Sequence, residues 1–110
     1  MGAQHVMNKG YSETLDSLII AFCRDYGTRA RAIEERSCKR RTLMEYEYIN
    51  RRLRDAASEI VGYESELYID EIGKKIGYAY SGVCGISETE YKVKKKEVKL
   101  NIAKKLHLLD

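Results

Sequence analysis

No proline occurs anywhere in the 110 residues. Proline is the residue that removes a helical N–H and clashes with the preceding turn, so no helix in this chain has to end or kink on its account. Apolar residues recur at three- and four-residue steps through most of the sequence, and no run alternates with period two. The pattern predicts an all-α fold of about four helices and no strands. Charged residues make up 34%, above the roughly 25% usual for globular proteins, which suits thin helices with much solvated surface. The length fits one domain with one modest core.

Four segments follow from periodicity and end signals. The first runs from Ser12 to about Tyr26, with Ser12 as N-cap, Glu13 and Asp16 at the positive end of the dipole, and Leu15, Leu18, Ile19, Phe22, Cys23 and Tyr26 on one face. Gly27 is its expected end. The second runs from Thr42 to Val61. Thr42 and Glu45 have the spacing of a capping box, Tyr46, Ile49, Leu53, Ala56, Ala57 and Ile60 form the stripe, and Gly62 follows as C-cap. The third spans about Glu64 to Tyr78, with Leu67, Ile69, Ile72 and Ile76 apolar. The fourth opens at Ser87, where Ser87 and Glu90 form another capping box, and continues to about Leu106 with Tyr91, Val98, Ile102, Leu106 and Leu109 on one stripe. Residues 1–11 read as a polar leader that lacks the apolar region of a signal peptide. No stretch has the ~18 consecutive apolar residues of a membrane span.

Several chemistries find no support. Cys23, Cys38 and Cys84 are odd in number and widely spaced, which fits neither a disulfide framework nor a zinc site; they read as small buried hydrophobes of a protein in the reducing cytoplasm. His5 and His107 have no metal-binding spacing. Glu34-Glu35 and Asp70-Glu71 are adjacent carboxylates that point to different sides of a helix, so neither forms an acid/base pair. Gly73-Lys74-Lys75 lacks the other parts of a phosphate loop. The expectation is a protein that is not an enzyme and needs no cofactor or metal. The tyrosines, nine against a single Phe, read as half-buried rings with wet hydroxyls.

The charge distribution is more informative than the net +3. Residues 24–54 carry ten Lys/Arg against five acids, residues 55–72 six acids and no base, and residues 87–110 seven Lys against four acids. Two basic segments flank an acidic one, so the basic parts can attract nucleic acid, while the acidic part is either repelled by phosphate or faces the basic parts internally. On the fourth segment Lys92, Lys96 and Lys99 share one helix face.

Taken in order, Glu71-Ile72-Gly73-Lys74-Lys75-Ile76-Gly77 followed by Ile86-Ser87-Glu88-Thr89-Glu90-Tyr91 resembles the helix-turn-helix of sigma-factor-like regulators, in which a short helix precedes a capped, basic reading helix. With Arg41-Thr42-Leu43-Met44-Glu45-Tyr46 and Ile102-Ala103-Lys104-Lys105-Leu106-His107-Leu108, the stretch from Arg41 to Leu109 resembles small transcriptional regulators of phages and mobile elements of Gram-positive bacteria. The resemblance implies a C-terminal helix-turn-helix-like pair and double-stranded DNA as partner, and leaves RNA polymerase as a further partner and a homodimer open. It places Thr89, Lys92, Val93 and Lys96 toward the groove and Ser87 on a phosphate, with Lys95 and Lys99 also among the DNA-binding residues; Arg40, Arg41, Arg51, Arg52 and Arg54 form a second backbone-contacting patch or meet the acidic segment instead. The family turn holds ~3–4 residues, whereas Tyr78–Gly85 inserts eight here. The competing expectation is a helical interaction or oligomerisation module, in which the lysines are a solvated face.

Overall fold

Ser12 sets the first helix. Its hydroxyl accepts from the backbone N–H of Leu15 at 3.1 Å, satisfying a donor that has no intrahelical partner. The computed structural model describes residues 10–109, and all regular structure among them is helical. Five helices follow in order: α1 (Glu13–Arg24), α2 (Tyr26–Glu35), α3 (Arg40–Val61), α4 (Ser65–Gly73) and α5 (Glu88–Lys105). Single 3-10 turns lie at Gly62–Glu64 and Tyr78–Tyr80. No helix among the described residues is long and apolar enough to cross a membrane. The leader largely falls outside the described residues, as does His5. Tyr11, expected at its end, is instead half-buried against the core and donates to Asp16 at 2.7 Å.

The core collects one stripe from each of four helices. Ile19 and Cys23 of α1, Leu53, Ala56 and Ala57 of α3, Ile69 and Ile72 of α4, and Val98, Ile102 and Ala103 of α5 form one buried cluster. The alanines let α3 approach its neighbours closely, and the Ile and Leu side chains each stabilise by roughly 1.5–3 kcal/mol on burial. A second cluster, Tyr68, Val83 and Tyr91, lies under the chain joining α4 to α5. Tyr68 and Tyr91 are 1% exposed while Tyr63 and Tyr80 are 97% and 87% exposed, so the tyrosines split between core and solvent and only some are half-buried. The cysteines split likewise: Cys23 is buried, Cys38 is half-buried and Cys84 lies on the surface, all three as free thiols.

Three helix boundaries differ from expectation. α1 breaks at Asp25, and Gly27 lies inside α2 with open space around it. A buried pair bonds to the backbone on both sides of the break: Arg29 donates to the Phe22 carbonyl and, at 2.6 Å, to Asn50 Oδ1, while Asn50 Nδ2 donates to the Tyr26 carbonyl. These bonds hold the kink against the middle of α3. α3 begins at Arg40 with Lys39 as its cap residue, so the Thr42–Glu45 spacing lies inside the helix and caps nothing. Arg36 turns the chain in the left-handed region (φ 50), and four residues suffice to fold α2 back on α3. α4 ends at Gly73, before the expected Tyr78. There the chain meets the end of α1: a β-carbon on Gly73 would sit 2.5 Å from the Arg24 backbone nitrogen and 2.6 Å from its Cα. Lys75 then takes φ 57, which no continuing helix allows.

Because the neighbour of Gly73 is backbone, it cannot swing aside as a side chain would. Gly73→Ala is expected to destabilise the fold by about 3 kcal/mol despite the better helix propensity of alanine. Gly27→Ala, in open space, is expected to be neutral or slightly stabilising. Thermal melts of the two variants followed by circular dichroism check the contrast.

Candidate nucleic-acid interface

α5 carries most of the residues that the sequence singles out. Ser87 accepts from the Glu90 N–H at 3.1 Å and starts the helix as expected. Tyr91, Val98, Ile102 and Ala103 turn inward. The outward side of the first three turns presents Thr89, Lys92, Val93 and Lys96, all exposed. Together with Lys95 and Lys99 these line one shallow depression of about 430 Å³. The helix thus brings six of the nine expected residues to one surface and leaves Ser87 at its edge.

The lysines of this surface are not equivalent. Lys95 is half-buried; its Nζ donates to the Ile76 carbonyl at 2.8 Å and lies 5.0 Å from the centre of the Tyr91 ring. Burial, followed by the nearby charge of Lys99, pulls its pKa below the ordinary lysine value against the opposing pull of Glu71. Lys99 reaches Asp16 of α1 at 2.9 Å with its side chain only 20% exposed. Both are tied to other elements of the fold. Lys92 pairs with Glu88 one turn earlier at 3.0 Å, an exposed contact that a phosphate can replace. Lys96 is exposed and has no ion pair among the described residues. The adjoining depression, of about 330 Å³, joins Lys96, Lys99 and Leu100 to Tyr11, Glu13 and Asp16, so the start of α1 places carboxylates along one border.

Arg40 and Arg41 do not join this surface. They open α3, and α5 meets α3 near its other end, where Asn101 donates to the Ala56 carbonyl at 2.9 Å and Lys105 pairs with Glu59 at 2.6 Å. Arg40 to Ala56 spans about 24 Å along the helix at 1.5 Å per residue. Arg54 is also engaged, donating to the Tyr26 hydroxyl at 3.2 Å.

What precedes α5 also differs from a helix-turn-helix. Fourteen residues, 74–87, separate α4 from α5, not a turn of three or four. A buried carboxylate organises the segment. Glu71 is 2% exposed. Its Oε1 accepts from the Tyr91 hydroxyl at 2.6 Å and the Ser81 hydroxyl at 2.7 Å, and its Oε2 accepts from the Gly82 N–H at 2.6 Å. Burial alone would raise the Glu71 carboxyl, but the bonds from Tyr91, Gly82 and Ser81, with Lys95 nearby, outweigh it and hold the group below the usual carboxylate range. Burial and the bond to Glu71 push the Tyr91 hydroxyl up to about 12. The sequence shows Glu71 as one acid of an adjacent pair and as the start of the helix-turn-helix-like stretch, and neither reading makes it a buried acceptor. Its sole hint is position, since it lies within the apolar run Ile69 to Ile72.

Comparison with protein-family models, curated proteins and solved structures yields no match, so the surface is judged on its own geometry. No group of three or more metal-ligating side chains occurs among the described residues.

Two outcomes test this division of the lysines and the role of Glu71. Lys95→Ala removes a buried-end hydrogen bond and a ring contact and is expected to lower stability by about 1–2 kcal/mol, whereas Lys96→Ala stays within about 0.5 kcal/mol; urea unfolding measures both. Glu71 titrates lower when folded, so its contribution is complete above the usual carboxylate range and is lost as pH falls through the lowered value. Glu71→Gln should therefore flatten the acid side of the stability–pH curve, read from melting temperatures between pH 7 and pH 3.

Proposed function

We propose that this chain is a DNA-binding transcriptional regulator that lays the outer face of α5 against double-stranded DNA. The observation that carries the reading is the shared exposure of Thr89, Lys92, Val93 and Lys96 on the side of α5 opposite its buried stripe. An α-helix with its side chains is about 10–12 Å across and enters a major groove about 12 Å wide. In that pose Lys92 and Lys96 meet phosphates, Thr89 and Val93 face base edges, and the uncapped first-turn N–H groups beside Ser87 favour a phosphate oxygen. Lys95 and Lys99 position the helix by tying it to the Ile76 carbonyl and to Asp16. A regulator of this kind, of phage or mobile-element type, would act in the cytoplasm and have RNA polymerase as a further partner.

Glu88 sets the affinity of the free protein. It occupies Lys92 until a phosphate displaces it, and its own charge then lies close to the duplex. Anisotropy of a labelled random duplex, titrated at several salt concentrations, is the test. Wild type should bind at low salt and weaken linearly with the logarithm of salt. Lys92→Glu/Lys96→Glu should not bind. Glu88→Gln should bind about two- to fivefold tighter, the worth of an exposed ion pair. Absence of wild-type binding at low salt, or equal binding by the double variant, removes the DNA reading and leaves the helical interaction module as the chain's function.

A further inference from the structure

The outer face of α3 has no partner within the described fold and carries an ordered charge pattern. Arg41, Met44, Glu45, Tyr48, Arg51, Arg52 and Asp55 lie at helical spacing on the side opposite Leu53, Ala56 and Ala57. All are exposed except Arg52, which is half-buried because its guanidinium lies over the Tyr48 ring, 5.0 Å from the ring centre. Met44 and Tyr48 are 61% and 46% exposed, large for apolar groups on a helix that elsewhere buries its stripe. Around them Arg41, Met44, Glu45, Tyr48 and Ile49 line an open depression of about 530 Å³ whose walls are almost wholly apolar. None of Arg41, Glu45, Arg51 and Asp55 takes part in an ion pair among the described residues.

We infer that this chain self-associates through an antiparallel α3–α3 contact about a twofold axis at Tyr48. The face is complementary to itself in that register. Arg41 of one copy falls opposite Asp55 of the second, Glu45 falls opposite Arg51, Met44 covers the Arg52 stem, and the two Tyr48 rings meet on the axis. Every contact off the axis occurs twice, as an isologous interface requires. The register is also selected negatively. Sliding one copy by a helical turn sets Arg41 against Arg51 in one direction and Glu45 against Asp55 in the other, both like-charge pairs. From Arg41 to Asp55 the strip runs about 21 Å. One helix face of that length covers less than the ~800 Å² per partner of a standard interface, so the dimer forms at micromolar or higher concentration and exchanges quickly. Arg41, expected from the sequence to contact DNA, is assigned here to the contact between copies.

The inference does not rest on the DNA reading, and its test contains no DNA. Sedimentation equilibrium of the whole chain from about 5 µM to 1 mM should show a monomer–dimer equilibrium that weakens in high salt. Arg41→Glu places two carboxylates opposite each other at both ends and should raise the dissociation constant at least about tenfold. Arg41→Glu/Asp55→Arg swaps the pair and should restore association to within about twofold of wild type. Glu45→Arg, rescued by Arg51→Glu, is the independent second swap, and circular dichroism confirms that each variant is folded. A wild type that stays monomeric to 1 mM overturns the inference. So does a charge reversal that leaves association unchanged, or a folded swap that fails to restore it.

Discussion

The arrangement of the C-terminal half depends on burying one carboxylate, Glu71. A carboxylate in the interior is costly unless its oxygens are fully hydrogen-bonded. Here Tyr91, Ser81 and Gly82 supply three donors and Lys95 lies nearby as a compensating charge. Those donors come from α5 and from the segment before it, so satisfying Glu71 fixes both. Val83 and Tyr68 then close over the same place with Tyr91, adding apolar burial to the polar node. The fourteen residues between α4 and α5 are thereby held by specific bonds although they contain only one 3-10 turn.

A comparable node holds the N-terminal half. Arg29 and Asn50 bond to each other and to the backbone carbonyls of Phe22 and Tyr26 on the two sides of the break at Asp25. Among the described residues no buried side-chain nitrogen or oxygen lacks a partner. Apart from Glu71, the acidic stretch makes its contacts at the surface. Glu59 meets Lys105 and Asn101, Glu66 accepts from Tyr26, and Asp70 meets Lys74. Part of the charge along the chain is engaged by such contacts, so neither a run of acids nor a count of lysines measures the surface presented to a partner.

The surface left over has two characters. On α5 it is small, basic and set on the first turns of the helix, with Glu88 and Glu90 beside it. On α3 it is longer, mixed in charge and centred on Met44 and Tyr48. The first suits a polyanion read along a groove. The second suits a helix of matching pattern. The two lie on different helices.

Periodicity and end signals determined the all-α class, the starts of α1 and α5 at Ser12 and Ser87, the end of α3 at Gly62, and the inward positions Ile19, Leu53, Ile72, Val98 and Ile102. These are local properties: a serine at a cap and an apolar stripe act within a turn or two of themselves. What lay beyond the sequence required contacts distant along the chain. The need for glycine at position 73 depends on the backbone of Arg24. The commitment of Lys95 depends on the Ile76 carbonyl and that of Lys99 on Asp16. A lysine on a helix wheel looks the same whether it faces water or a distant carboxylate. Only the packing of α1 and α4 against α5 decided which lysines were free, because an ion pair or a steric stop exists only once both of its partners are brought together.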